Sequence, residues 1–183
     1  VNGRENNMVK STFLNLPEEK KERVTEALLH EFSTHALTEA QVARIVKEAG
    51  IARGAFYKYF DDLTDAYTYL FKIAIQEIHM NMQPTDKFDP DFFYDRVCKF
   101  ISKTQHSKYE PMMKLHMLRN EAVVPGSMKT NSEQLLHMTP EIWSAMVLSH
   151  EVIVSVFADP DNREANLKRY KESLYLIDKG ANK

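Results

Sequence analysis

The chain has 183 residues, 43% of them hydrophobic, with 24 Lys/Arg against 26 Asp/Glu and one cysteine, Cys98. That length buries a sizeable core without covalent staples, and a single cysteine excludes an intrachain disulfide and a cysteine-built metal site. A formal charge of −2 excludes a polycation that holds nucleic acid by net charge alone, so any basic function must be local.

Pro17-Glu18-Glu19 reads as the acidic first turn of a helix, since proline tolerates the first helical position and carboxylates favour the positive end of the dipole. Val24, Ala27, Leu28 and Phe32 follow at helical spacing, predicting a helix over about 17–34. Thr38 with Gln41 three residues on is a capping-box signature, and Val42, Ile45, Val46 and Ala49 predict a second helix over about 39–49. Gly50 stops it, because glycine enters the left-handed region without a Cβ penalty. Arg53 to Phe60 is a third helix of about two turns, with Phe56 and Phe60 facing inward. Asp61, Asp62 and Asp65 then open a long fourth helix through Leu63, Tyr67, Leu70 and Ala74 toward Met82, and Pro84 to Pro90 is a linker.

Helices are predicted over 91–108 and 111–120, Pro125-Gly126 is a turn, and Ser132 to Met138 is a shorter helix. Thr139-Pro140-Glu141 caps and opens a helix to about Ala158 that is nearly apolar all round. Asp159-Pro160-Asp161 closes it, and Leu167, Tyr170, Leu174 and Ile177 define a last amphipathic helix ending before Gly180. The most apolar stretch, Ala145 to Phe157, is broken by His150 and Glu151 and is too short for a bilayer of roughly 30 Å. No membrane contact is expected. No basic-then-apolar leader is read at the start, residues 1–7 are expected to form an arm, and a reducing cytoplasm fits best.

A helix, a glycine turn and a short second helix is the sequence form of a helix-turn-helix, whose second helix enters the DNA major groove. Between Ile51 and Phe60 stand two cations, Arg53 and Lys58, and no anion, and screening over about 8–10 Å lets such a patch act despite the acidic whole. Ala52, Gly54 and Ala55 are small enough to let the backbone approach DNA. Arg53 and Lys58 can reach phosphates or guanine edges, and Tyr57 and Tyr59 can offer hydroxyls, although one of the two tyrosines is open to packing inward. Thr38 and Gln41 complete the candidate DNA-binding set.

Val42 to Phe60, VARIVKEAGIARGAFYKYF, resembles the DNA-binding segment of the TetR family, with its Ala-Gly turn, its glycine three residues before tyrosine and its terminal phenylalanine. The motif spans residues 17 to about 80. The resemblance departs at Ala52 and Ala55, where the family usually carries a hydroxyl, and at Leu63, where it often carries a lysine. It implies an all-α protein with a three-helix DNA-binding domain and arm over 1–62 and a helical regulatory and dimerisation domain over 63–183. It also implies a homodimer on a palindromic operator, repression, and release by a small apolar or aromatic ligand. The expected dimer interface is Ile142, Val147, Val154, Leu167, Tyr170, Leu174 and Ile177. Candidate pocket residues are Tyr67, Phe93, Val97, Met113, Met117, Trp143, Met146 and His150, which plain core packing explains about as well.

No cofactor or metal is expected, since the seven histidines form no ligand cluster and His150-Glu151 lacks the second histidine of a zinc helix. Two other readings stand beside this one. One is an all-helical enzyme using His116, His150, Cys98 or the acids near Asp86, which no nucleophile elbow, phosphate loop or metal spacing supports. The other is a helical partner-binding module whose head has lost DNA affinity, motivated by Ala52, Ala55, Leu63 and the net acidity.

Overall fold

The structure, a computed structural model, describes residues 9–79, 87–124 and 137–181. Among them are helices and no strand: α1 (Ser11–Leu14), α2 (Glu18–Thr34), α3 (Val42–Glu48), α4 (Arg53–Tyr59), α5 (Leu63–His79), α6 (Pro90–Gln105), α7 (Glu110–Leu115) continued by a π turn (His116–Asn120), α8 (Pro140–Ala158), a 3-10 turn (Pro160–Asn162) and α9 (Arg163–Ala181). They form two compact units, one from residues 1–77 with 108–124, the other from 78–107 with 125–183. Residues 63–77 thus pack with the N-terminal helices, on the other side of the boundary expected at 62/63.

In the first unit the apolar spacing of α2 buries Val24, Ala27, Leu28 and Phe32, and Ile45, Phe56, Phe60, Leu70, Met112 and Met113 of the same unit are likewise essentially inaccessible to solvent. Helix α1 was not foreseen. Four residues carry no readable period, yet Phe13 is fully buried, its ring 5.6, 5.0 and 5.2 Å from those of Tyr59, Phe60 and Tyr69. Tilted aromatic pairs at such distances add about 0.5–1.5 kcal/mol each beyond burial.

Helix α3 begins at Val42, not 39, and the expected capping box does not form: Gln41 is the N-cap and makes no side-chain cap. The end of α3 is as expected. Gly50 has φ 63°, Ile51 N–H donates to the Val46 carbonyl at 3.0 Å and Gly50 N–H to the Lys47 carbonyl at 3.4 Å, the paired bonds of a Schellman motif. The segment expected as one helix over 111–120 changes register at His116, where Glu121 N–H reaches the His116 carbonyl at 2.9 Å, five residues back.

In the second unit Asp89 caps α6 by accepting from Asp91 N–H (2.9 Å) and Phe92 N–H (3.3 Å), and Thr139 caps α8 through Ile142 N–H at 3.4 Å. Phe93, Val97, Ile101, Ala145, Val156, Leu167 and Leu174 form the core. The Tyr170 hydroxyl is satisfied there, 2.7 Å from Ser149 Oγ and 3.3 Å from the Phe93 carbonyl.

Three expectations need correction or placing. Helix α9 runs through Gly180 to Ala181 rather than stopping before it, because a glycine in a last turn ends a helix only where the chain reverses. Helix α8 stands where it was expected, and by length and composition alone its 19 residues are enough to cross a bilayer, a length that the stretch Ala145 to Phe157 judged from sequence does not reach. The arm 1–7, the Pro84 linker with Asp86, the Pro125-Gly126 turn and most of the 132–138 helix lie outside the described residues.

No heavy atom lies within 4 Å of a Cβ built on Gly50, so the cost of a side chain there is purely conformational. Gly50→Ala is expected to lower unfolding free energy by about 1–2 kcal/mol, read from urea titration, whereas Gly54→Ala, in ordinary helical backbone, should cost nothing measurable.

Candidate nucleic-acid interface

The turn between α2 and α3 is organised by a carboxylate. Glu31 lies on the apolar face of α2 and is 4% exposed. Its Oε1 accepts Gln41 N–H at 2.7 Å and Arg44 Nη2 at 2.6 Å, and its Oε2 accepts Arg44 Nε at 2.8 Å. Glu31 thus performs from another helix the capping that Thr38 was expected to perform from its own. Arg44 also donates to the Glu39 carbonyl at 2.8 Å, tying down the preceding turn. Burial pushes the Glu31 carboxyl up, but the hydrogen bonds from Arg44 and Gln41 outweigh it and hold the group below its ordinary value of 4.5. At the far end of α3, His30 Nδ1 meets Glu48 Oε2 at 2.7 Å, and that bond raises the His30 pKa.

Helix α4 is set by its inner face and its C-terminus. Phe56 and Phe60 are fully buried and Tyr59 nearly so. Lys10 crosses over the end of α4: its Nζ donates to the Tyr57 carbonyl at 2.9 Å and pairs with Asp61 Oδ1 at 2.7 Å, while its N–H donates to the Tyr59 carbonyl at 3.2 Å. A cation at a helix C-terminus complements the dipole and the orphan carbonyls.

What remains outside is a face of Ala52, Arg53, Gly54, Tyr57 and Lys58, all exposed, with Ala55 half-buried at its edge. The Arg53 guanidinium lies 6.0 Å from the Tyr57 ring centroid, its Nη2 3.5 Å from the Tyr57 hydroxyl. Among the described residues no ion pair engages Arg53 or Lys58. Thr38 and Gln41 are exposed in the segment before α3. Tyr59 is the exception in the predicted set. It turns inward onto Phe13, since a seven-residue helix needs every inward position for anchorage.

The predicted pocket residues are divided between the two units. Tyr67, Met113 and Met117 belong to the first unit, and Phe93, Val97, Trp143, Met146 and His150 to the second. Tyr67, Met113, Phe93 and Val97 are buried core side chains of their own units, while Trp143 and Met146 face outward. Methionine and aromatic content alone does not tell core from cavity. An open cleft of about 700 Å³ in the second unit, between α6 and α9, is lined by Tyr94, Leu167, Lys171, Tyr175 and Leu176 among others, and takes none of the eight.

The predicted dimer set divides similarly. Ile142, Leu167, Tyr170 and Leu174 are buried within their own unit, whereas Val147 is exposed and Val154 and Ile177 are partly so. Periodicity finds an apolar face but not which neighbour covers it. The outward apolar side chains on α8 are Trp143, Met146 and Val147. Sequence reasoning also missed Lys10, Phe13 and Glu31. Glu31 had a legible signal, a carboxylate at an inward position of the α2 period, whereas Lys10 and Phe13 had none.

These three helices, closed by a glycine turn and presenting the second of the pair outward, define a helix-turn-helix head. Residues 24–63 match the family model described as bacterial regulatory proteins, tetR family, and this segment is a tetR-family domain. The whole chain shares the fold of TetR-family regulators of known structure. One from Chloroflexus aurantiacus J-10-FL is 20% identical with a TM-score of 0.55, covering 94% of this chain and 98% of its own. NalD from Pseudomonas aeruginosa, the secondary repressor of the MexAB-OprM multidrug efflux pump, is 13% identical with a TM-score of 0.55, covering 87% and 96%. A TetR variant from Acinetobacter baumannii AYE in complex with minocycline is 15% identical with a TM-score of 0.54, covering 91% and 96%. No curated protein matches the chain.

The Glu31 cap sets a pH signature. A carboxyl held below its unfolded value contributes stability that is present above about pH 4.5 and is lost as pH falls through the folded value. Glu31→Gln is expected to cost about 1–3 kcal/mol at neutral pH. In chemical denaturation the gap between wild type and variant should close as the pH is taken below 4.5.

Proposed function

We propose that the chain is a sequence-specific DNA-binding transcriptional regulator that works as a homodimer. The observation that carries this reading is the outer face of α4: two exposed cations and a tyrosine hydroxyl among Ala52, Gly54 and Ala55, on a helix held from behind by Phe56, Tyr59 and Phe60. Small residues at the start of the helix let its backbone approach the groove. Arg53 in the first turn is placed for a base edge, while Lys58 and Tyr57 are suited to phosphates. Loss of the hydroxyl residues at Ala52 and Ala55 leaves much of the grip to these three side chains.

Homodimerisation is supported by α8, where Trp143, Met146 and Val147 expose a contiguous apolar stripe. A second copy covering it by two-fold symmetry repeats α4, and the spacing of an operator's half-sites, roughly 34–36 Å, is what such a repeat must match. Repression relieved by a small apolar or aromatic ligand completes the proposal, supported by the fold shared with an efflux-pump repressor and with a TetR variant holding minocycline. A ligand acts in such a system only through unequal affinity for the two states.

Selection of binding sites from a random duplex pool tests the reading directly. A two-fold symmetric site should emerge, bound at least about a thousandfold more tightly than random duplex. No enrichment over random DNA would overturn it. On the selected site, Lys58→Ala should weaken binding to all sequences alike and reduce the salt slope by about one, whereas Arg53→Ala should cost about 1–3 kcal/mol and relax preference at one position per half-site. Val147→Glu should shift the protein to monomer in sedimentation while leaving its helical content unchanged.

A further inference from the structure

From the geometry we infer that Asn120, in the π turn far from the helix-turn-helix in sequence, is a positioning residue of the DNA-reading head. Its Oδ1 accepts Leu37 N–H at 2.9 Å across 83 residues of chain, and Leu37 lies in the turn that delivers α3. Its Nδ2 donates to the Tyr67 hydroxyl at 3.4 Å, and that hydroxyl lies 3.0 Å from His116 Nδ1. All four residues are buried. Burial pushes the Tyr67 phenol up to about 12, so it stays protonated and can donate onward to His116 while accepting from Asn120. Next to this chain, Arg119 Nη2 grips Glu39 Oε1 at 2.7 Å, holding the same turn from the surface.

The element carrying these side chains is not an ordinary helix. The His116–Asn120 turn closes with a bond from Glu121 N–H to the His116 carbonyl, five residues back. Such turns hold one residue more than an α-turn and gather at functional sites. If Glu121 N–H moved to the Met117 carbonyl, α geometry would return and the intervening side chains would rotate by up to about 100°, taking Asn120 off Leu37. The present hydrogen-bonding arrangement of the turn therefore holds the approach to α3, and a change in it is the route by which a segment outside the head would bias its DNA-competent state.

This inference rests on the DNA-binding reading, and its test keeps the two apart. Full-length wild type, Asn120→Ala and Tyr67→Phe are titrated against the selected site and against random duplex, with thermal unfolding and hydrogen exchange of the Leu37 amide measured in parallel. If Asn120→Ala leaves about a tenth of folded molecules in the competent arrangement, affinity for the site falls about tenfold while binding to random duplex is unchanged and Leu37 exchanges faster. Tyr67→Phe keeps the Leu37 bond and loses its support, so a smaller loss of roughly threefold is expected. A lower unfolding temperature with unchanged affinity for the site would make Asn120 a core residue only and overturn the inference. Should Asn120→Ala not fold, Tyr67→Phe decides, and wild-type affinity in that variant overturns it. Failure of wild type to prefer any site would instead strike the DNA-binding reading.

Discussion

The hydrogen-bonded pairing of Glu31 with Arg44 and the Gln41 amide is the constraint on which the geometry of the head depends. A carboxylate on an apolar helix face is costly to bury unless its lone pairs are filled, and here three donors from α3 and its N-cap fill them. The same bonds satisfy an orphan amide at the start of α3 and fix its direction against α2. Because α4 follows α3 through the glycine turn at Gly50, whatever orients α3 also aims α4. A hydrophobic contact at this position would tolerate sliding, whereas a bidentate guanidinium does not.

Helix α4 shows the complementary problem. Seven residues are far below the length at which a helix is stable alone, and its exposed face spends no side chain on packing. Stability therefore comes from outside: the aromatic cluster with Phe13 beneath it, the left-handed Gly50 before it and Lys10 across its carbonyl end. Those supports allow the outer positions to be small or cationic. The chemistry that suits a DNA groove is the chemistry that contributes least to the core, and the two demands fall on opposite faces.

In the second unit the apolar content of α8 exceeds what its own partners cover. Ile142, Ala145, Val152 and Val156 turn inward, while Trp143, Met146 and Val147 remain outside. A helix apolar on both faces is the usual form of an element with neighbours on two sides. The open cleft between α6 and α9 is different in kind, with Lys171 4.7 Å from the Tyr94 ring centroid and Tyr175 bonded to Asp91 at 2.8 Å.

Local chemistry is why so much was legible beforehand. The α2 and α4 apolar faces, the Gly50 stop and the cap at Thr139 depend on residues within one or two turns, so composition and spacing determine them. Leu63, Tyr67, Leu70 and Ala74 likewise announce α5 by period alone. Where a partner lies far along the chain, the sequence carried no usable signal. Phe13 has meaning only beside Phe60, Thr38 loses its capping role to Glu31, Tyr59 turns inward because α1 is there to receive it, and Asn120 finds Leu37 only once the helices are packed. Periodicity marks that a side chain is buried; which surface buries it is set by long-range packing, and that is why the expected interface and pocket residues divided between core and solvent while most helices, apart from α1, the start of α3 and the π turn, stood where their sequences put them.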